Sequence, residues 1–339
     1  KGLAISQEML REFLELVLAE GEGREELVSP HRFIKEVLGY ELKWFHREWF
    51  EKQLVNKQSL ILAPRGHGKS TICTIAYSLY KLVNHPDLRI LIVSNTSAQA
   101  KAFLREIRNH LETNHWFRAH FGNLKFKPWN DTEIVISLRA KKKKEASITG
   151  LGVLGPIIAR HYDVIILDDV VDEENARSSR LRDKLLIWYY KVLLPALEPD
   201  GELHIIGTRY HFLDLYGHLL EREFKNYHWV YRAIQEVGGA EVALWEEKFP
   251  LRLLEKKRKE AGAIIFNSQY QNDVQLMKGA VFKREWIQYY QVLPKEVRLE
   301  KLIGIDLAMS QKESADYFAL VVIGWDRRSQ KIYILDSIH

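Results

Sequence analysis

The sequence predicts an α/β fold in which helices cover a mostly parallel sheet. From about residue 58 to residue 272, short apolar runs alternate with segments of helical spacing. Most of these runs are apolar throughout, which is typical of strands buried on both faces of a parallel sheet. The predicted strands are SLIL at 59–62, RILIVS at 89–94, EIVIS at 133–137, DVIILD at 163–168, LHIIGT at 203–208 and HWVYRA at 228–233.

The chain is predicted to consist of four parts. Residues 1–57 are predicted to form an N-terminal helical or lid segment, 58–272 the α/β domain, and 273–300 a linker. Three further apolar runs within 301–339 follow one another closely, which predicts an antiparallel meander and the start of a second domain.

Composition indicates an intracellular protein without a membrane span. The chain has 339 residues, enough for about two domains, and 46% of them are hydrophobic. Cys73 is the only cysteine, so no disulfide can form within the chain and a reducing compartment is expected. The net charge of +5 is compatible with a polyanionic partner.

The stretch Ala63–Ser70, APRGHGKS, predicts a phosphate-binding loop between a strand and a helix. Its glycines let successive backbone N–H groups face phosphate oxygens, Lys69 is suited to the β and γ phosphates, and the Ser70 hydroxyl to Mg²⁺. The residues assigned to binding ATP are Pro64, Arg65, Gly66, His67, Gly68, Lys69, Ser70 and Thr71.

Two acids end the apolar run VIILDD. We expect Asp168 to hold Mg²⁺ together with Ser70, and Asp169 to polarise the water that attacks ATP. Aspartate is shorter than glutamate, so Glu173 or Glu174 remains an alternative base. The paired acids could also simply cap the next helix.

Thr208 lies at the tip of another apolar strand, in IIGTR. In a parallel sheet this tip is expected beside the phosphate loop, where the hydroxyl can bond the γ-phosphate or the catalytic water and report hydrolysis. A plain turn is the alternative.

The motifs APRGHGKS, DVIILDDVVDEENA, HIIGTRYHFLDLY, FNSQYQNDV and LIGIDLA, in this order, resemble the large subunit of tailed-bacteriophage terminase. The resemblance runs from about Leu42 to the C-terminus. It implies a P-loop ATPase domain of the ASCE/RecA-like type, followed by an RNase H-like nuclease. The implied function is ATP-driven packaging of double-stranded viral DNA into a procapsid, with cutting of DNA concatemers.

The resemblance also implies partners and site residues. The expected partners are a portal protein and a small terminase subunit. The chain is expected to form a homo-oligomeric ring on the procapsid, and a monomer in solution is compatible with this. The expected location is the host cytoplasm. Arg65 would act in coupling within the loop, and His46 in WFHREW would stand where the family often places an adenine-contacting glutamine. A packed or surface histidine is the alternative for His46. Arg160 would reach a neighbour's ATP site as a trans arginine, with Arg209 and Arg177 as alternatives.

In the same resemblance, Asp306 is the first carboxylate of a nuclease centre that uses Mg²⁺ or Mn²⁺, and Asp316 is a further ligand. The family's other acids lie on later strands, so we expect residues 301–339 to hold an incomplete centre. Asp336 is left open as a partner acid.

Two other functions remain open on the sequence alone. A helicase would share the ATPase core but repeat a RecA-like domain in place of the meander at 301–339. A nucleotide-gated DNA-binding clamp would bind ATP yet barely hydrolyse it, which the aspartate at 169 would favour.

Overall fold

The computed structural model describes residues 28–157, 159–275, 288–293, 298–306, 319–329 and 331–338. The strands are β1 (Gln58–Leu62), β2 (Ile90–Ser94), β3 (Lys125–Trp129), β4 (Glu133–Ile136), β5 (Ile148–Gly152), β6 (Tyr162–Asp168), β7 (Leu197–Gly207), β8 (His228–Val230), β9 (Ile234–Val237), β10 (Ala240–Ala243), β11 (Glu300–Asp306), β12 (Ala319–Asp326) and β13 (Lys331–Ile338).

The helices lie mainly between the strands. They are α1 (Pro30–Arg32, continuing through Phe33–Val37), α2 (Trp44–Val55), α3 (Ser70–Ala76, continuing through Tyr77–Asn84), α4 (Ser97–Thr113), α5 (His115–Phe121), α6 (Glu173–Arg177), α7 (Ser179–Trp188, continuing through Tyr189–Leu193), α8 (Leu215–Leu220) and α9 (Leu251–Gln271). Residues 1–27 of the predicted N-terminal helical segment lie outside the described part of the chain.

Eight strands form the central sheet in the order β3-β4-β5-β2-β6-β7-β1-β8. The six strands from β5 to β8 along this order pair in parallel, and β3 and β4 extend the β5 edge in antiparallel fashion. Strand β7 therefore lies between β1 and β6, so the segments that follow these three strands meet at one edge of the sheet.

The core fills both faces of this sheet. On β2, Ile90 and Ile92 belong to the cluster beneath helices α1 to α5, whereas Leu91 and Val93 belong to the opposite cluster beneath α7 and α8. All four side chains are fully buried. This two-sided burial explains why the strand is apolar at every position.

The predicted α/β sheet is confirmed, and two of its strands were missed. The predicted run at 133–137 is a strand, but it lies in the antiparallel edge rather than the parallel part. Strand β5 escaped prediction because its sequence, ITGLG, contains two glycines. Glycine is needed at 150, since a Cβ there would lie 2.7 Å from Leu104 Cδ1 of helix α4.

The three runs after residue 300 form the expected antiparallel meander. Strand β12 pairs with β11 on one side and with β13 on the other. A separate hairpin of β9 and β10 precedes helix α9. None of the described helices is long and apolar enough to cross a membrane.

Candidate active site

The phosphate loop is bent by glycines in left-handed conformations. The φ angles of Gly66 and Gly68 are +79° and +80°. A Cβ on Gly66 would lie 2.9 Å from the Phe249 ring, and one on Gly68 would lie 3.1 Å from His46 Nε2. Both glycines are therefore required by backbone conformation and by close neighbours.

His46 supports this loop from beneath. Its Nε2 lies 2.8 Å from the carbonyl oxygen of His67, and its Nδ1 accepts a hydrogen bond from the Lys43 backbone N–H at 3.2 Å. The side chain is buried, and burial lowers the pKa of His46. Both ring nitrogens of His46 are engaged inside the protein and the ring holds the loop, which fits the alternative of a packed histidine; contact with adenine stays a prediction.

The outer side of the loop is covered by residues that precede helix α9. Phe249 stacks on the His67 ring with centroids 4.6 Å apart, and Lys248 Nζ donates to the Gly66 carbonyl at 3.0 Å. His67 Nδ1 lies 3.1 Å from the Arg65 carbonyl oxygen. Burial lowers the pKa of His67 to about 4, so the ring is neutral at neutral pH.

Lys69 is directed into the site and is almost fully buried. Its Nζ donates to Thr208 Oγ1 at 2.8 Å and to the Pro64 carbonyl at 3.4 Å, and it lies 3.8 Å from Asp169 Oδ2. Thr208 in turn donates to the Ala63 carbonyl at 3.3 Å. The side chains of the predicted lysine and threonine are therefore in direct contact.

Ser70 and Asp168 are brought together as predicted. The Ser70 hydroxyl donates to Asp168 Oδ1 at 3.0 Å, and Thr74, which was not predicted, donates to Oδ2 at 2.6 Å. Burial, reinforced by the neighbouring Asp169 charge, raises the pKa of Asp168 to about 7. A bound cation would compensate this buried carboxylate, so the hydroxyl and carboxylate oxygens fit Mg²⁺.

Asp169 has a strained backbone and a poorly satisfied carboxylate. Its φ is +47°, which is uncommon for a residue with a side chain. Its N–H bonds the Ile206 carbonyl at 2.9 Å, which fixes it to the tip of β7. Its Oδ1 is buried and lacks a hydrogen-bond partner among the described residues.

Ser70, Asp168, Asp169 and Thr208 line a cavity of about 240 Å³. Its lining also includes polar side chains that the sequence reasoning did not assign, namely Ser94, Asn95, Gln99, Tyr210 and Gln269. Ser94 ends β2, Asn95 follows it, and Gln99 lies in the first turn of α4. Carboxyl ends of parallel strands share one edge, so this rule could have found them. Gln269 comes from the end of helix α9, and no local pattern indicates its position.

The remaining predicted residues are distributed as follows. Arg65 lines the cavity, and Thr71 lies in the first turn of α3. Glu173 and Glu174 begin α6 and are exposed. Neither glutamate is among the residues that line the cavity.

The three candidate arginines have different surroundings. Arg160 precedes β6, at the opposite end of that strand from Asp168, and pairs with Glu133 at 3.0 Å. Arg209 is buried and its Nε lies 3.1 Å from Asp214 Oδ1, so it is held within its own chain. Arg177 ends α6 and is exposed.

Two of the predicted nuclease acids, Asp306 and Asp336, lie on described strands. Asp306 ends β11 opposite Ala319, and Asp336 on β13 lies opposite Val322. Asp316 lies outside the described residues. No cluster of three or more His, Cys, Asp or Glu side chains able to hold a metal occurs in the described ranges.

Sequence comparisons do not place the chain in a family. No family model matches it, and no curated protein matches it. Among solved structures, an ATPase-domain variant of the Thermus phage P74-26 large terminase is 16% identical, with a TM-score of 0.51. That alignment covers 73% of this chain and 99% of the other.

The chain has the fold of a phage large-terminase ATPase domain. The HK97 bacteriophage large terminase is also similar, at 13% identity and a TM-score of 0.50, over 91% of this chain and 67% of that protein. The predicted α/β ATPase fold and the resemblance to terminases are thereby confirmed at the level of architecture, while the RNase H-like part stays a prediction.

Proposed function

We propose that this chain is the ATPase of a phage DNA-packaging motor. The observation that carries the proposal is that Ser70, Asp168, Asp169 and Thr208 line one cavity at the carboxyl edge of a parallel sheet. Lys69 contacts two of them, Thr208 at 2.8 Å and Asp169 at 3.8 Å. The terminase-type fold supports packaging over other uses of such a site.

ATP would bind with its phosphates in the glycine loop. Backbone N–H groups at the start of α3 are available to anions, because the first N–H groups of a helix have no partner within it. Lys69 would then donate its hydrogen bonds to the β and γ phosphates in place of Thr208. Mg²⁺, held by Ser70 and Asp168, would neutralise the charge that develops on the phosphates.

Asp169 is the proposed base for hydrolysis. The water oxygen forms a bond to the γ-phosphorus as the bond to the bridging oxygen breaks, and the electron pair of that bond stays on ADP. The proton released by the water passes to the Asp169 carboxylate. Thr208, at the tip of β7, would sense the γ-phosphate, and Arg65 would take part in coupling.

The wider assignments are also part of this proposal. We infer double-stranded DNA, a portal protein and a small terminase subunit as partners, a ring as the working state on the procapsid, and the host cytoplasm as its location. Residues 1–57 would be the helical segment, 58–272 the ATPase domain and 273–300 the linker. Residues 301–339 would begin a nuclease in which Asp306 and Asp316 hold Mg²⁺ or Mn²⁺.

Nucleotide binding and packaging test the proposal separately. Lys69→Ala removes the buried cation from the loop and should abolish measurable binding of Mg-ATP in calorimetry. Lys101→Ala, an exposed lysine on α4, is the control and should bind like the parent. Packaging of DNA into procapsids by the parent, lost in Lys69→Ala, would support the motor; binding without packaging would leave an ATPase of another kind.

A further inference from the structure

Two residues that line the same cavity, Asp169 and Gln269, each carry a side-chain acceptor oxygen without a partner. These atoms are Asp169 Oδ1 and Gln269 Oε1, and both are buried without a hydrogen-bond partner in the described part of the chain. The Gln269 side chain is 7% exposed. A buried acceptor without a donor is costly, so two of them in one cavity indicate a donor that binds there.

The orientation of the Gln269 amide follows from its other neighbour. Its Nε2 donates to the Arg209 carbonyl oxygen at 3.3 Å. A carbonyl can only accept, so the amide nitrogen must face Arg209 and the amide oxygen is the atom that remains without a donor.

The backbone of Gln269 is tied to the phosphate loop. Its carbonyl oxygen accepts the Arg65 N–H at 3.0 Å. Three residues later, Asn272 accepts the Arg209 N–H at 3.0 Å and donates to the Tyr231 carbonyl at 2.9 Å. The end of α9 is thus fixed against the loop and against the ends of β7 and β8.

We propose that Asp169 Oδ1 and Gln269 Oε1 together bind the water that attacks ATP. This inference rests on the proposed ATPase function. Neither oxygen can bond a phosphate oxygen, because all of these atoms are acceptors. A water molecule has two hydrogens, so it satisfies both oxygens at once and keeps a lone pair free for the γ-phosphorus.

The chemistry divides between the two residues. As the water oxygen bonds to phosphorus and ADP leaves with the electron pair of the broken bond, one water proton passes to Asp169. Gln269 takes no proton; it contacts the reacting water and fixes its orientation. Because Gln269 belongs to α9, the water site is complete only while the end of α9 is docked on the loop.

The kinetic test compares two glutamines of the same helix. Gln269→Leu should lower kcat about 10²-fold, the usual contribution of one well-placed group, with the Kd for Mg-ATP changed less than about threefold. Gln271→Leu is the matched control, since Gln271 bonds Ile234 through both amide atoms at 2.9 and 3.0 Å, outside the cavity. It should lower the melting temperature but not kcat.

A double-mutant cycle separates a shared water from a structural effect. If one water binds both residues, Asp169→Ala with Gln269→Leu should be no more than about threefold slower than the slower single variant. Two outcomes would overturn the proposal while leaving the ATPase assignment intact. One is a double variant whose loss in kcat is the product of the two single losses. The other is a kcat of Gln269→Leu within about twofold of the parent.

A direct structural measurement needs no turnover. A high-resolution crystal structure of the nucleotide-free protein should show a water within about 3.2 Å of both oxygens. An Arg65 guanidinium bonded to both oxygens in place of water would overturn the proposal. Absence of ATP binding by the parent would instead overturn the proposed function itself.

Discussion

Lys69 donates a hydrogen bond of 2.8 Å to Thr208, and this bond joins the phosphate loop to the tip of β7. The two residues are 139 positions apart in the sequence, and both are buried. The lysine proposed to bind the phosphates is therefore held by the residue proposed to sense them. We predict that phosphates bound at Lys69 compete with this bond, which would couple the loop to β7.

Thr208→Val should make the protein depend more on nucleotide for stability. Valine has the shape of threonine but leaves Lys69 Nζ and the Ala63 carbonyl with one bond fewer, which should cost about 1–3 kcal/mol in the free protein. Bound phosphate would restore a partner to Lys69. The increase in melting temperature on adding Mg-ATP should exceed that of the parent and of Thr208→Ser; an equal increase would contradict the competition.

Gly66→Ala should damage the loop more than the same change at Gly39. Both glycines have positive φ, +79° and +74°, so alanine costs about 1–2 kcal/mol at either position from backbone strain alone. Only at Gly66 would the new Cβ meet a neighbour, at 2.9 Å from Phe249. Chemical denaturation should show the larger loss for Gly66→Ala, and Mg-ATP titration should show weakened binding there alone.

His67 should make the protein less stable as the pH falls from about 6.5 to about 4. Burial lowers the pKa of His67 to about 4, so over this range the unfolded chain binds a proton that the folded protein does not. The loss of unfolding free energy from this one group is on the order of 3 kcal/mol.

A variant isolates this contribution from the other buried histidines. His67→Phe keeps a ring to stack on Phe249 but cannot titrate, so its denaturation free energy should fall less than that of the parent between these pH values. His120→Phe, an exposed ring stacked on Trp116, is the control and should follow the parent. Parallel profiles for His67→Phe and the parent would contradict the prediction.

Arg160 should act between subunits if it is the trans arginine. Arg160→Ala subunits should be inactive in rings but able to supply an intact loop to Lys69→Ala subunits, which still carry Arg160. Mixed rings should then regain part of the ATPase activity. If Arg160→Ala rings hydrolyse ATP as fast as the parent, Arg160 is not the trans arginine. Its role would then be the ion pair with Glu133.

The parts of the site that the sequence predicted lie where parallel strands end. Lys69, Asp168 and Thr208 each follow an apolar strand, and carboxyl ends of parallel strands meet at one edge, so their meeting needed no knowledge of distant contacts. The residue types at these positions also match phosphate and Mg²⁺ chemistry.

The parts that were missed depend on contacts between distant segments. The hydrogen bond between His46 Nε2 and the His67 carbonyl oxygen joins residues 21 positions apart, and no local pattern indicates it. Gln269 reaches the cavity only because the end of α9 returns to Arg65. Strand β5 is recruited by packing around Gly150 rather than by β propensity.

The central claim is that this cavity hydrolyses ATP with Asp169 as the base, and a single-turnover assay of Asp169→Asn tests it most directly. Asparagine keeps the shape of the side chain but cannot take the proton. The account predicts that Mg-ATP still binds with parental affinity while the rate of phosphate release falls about 10²-fold or more. Phosphate release at the parental rate would contradict the claim and move the role to Glu173 or Glu174.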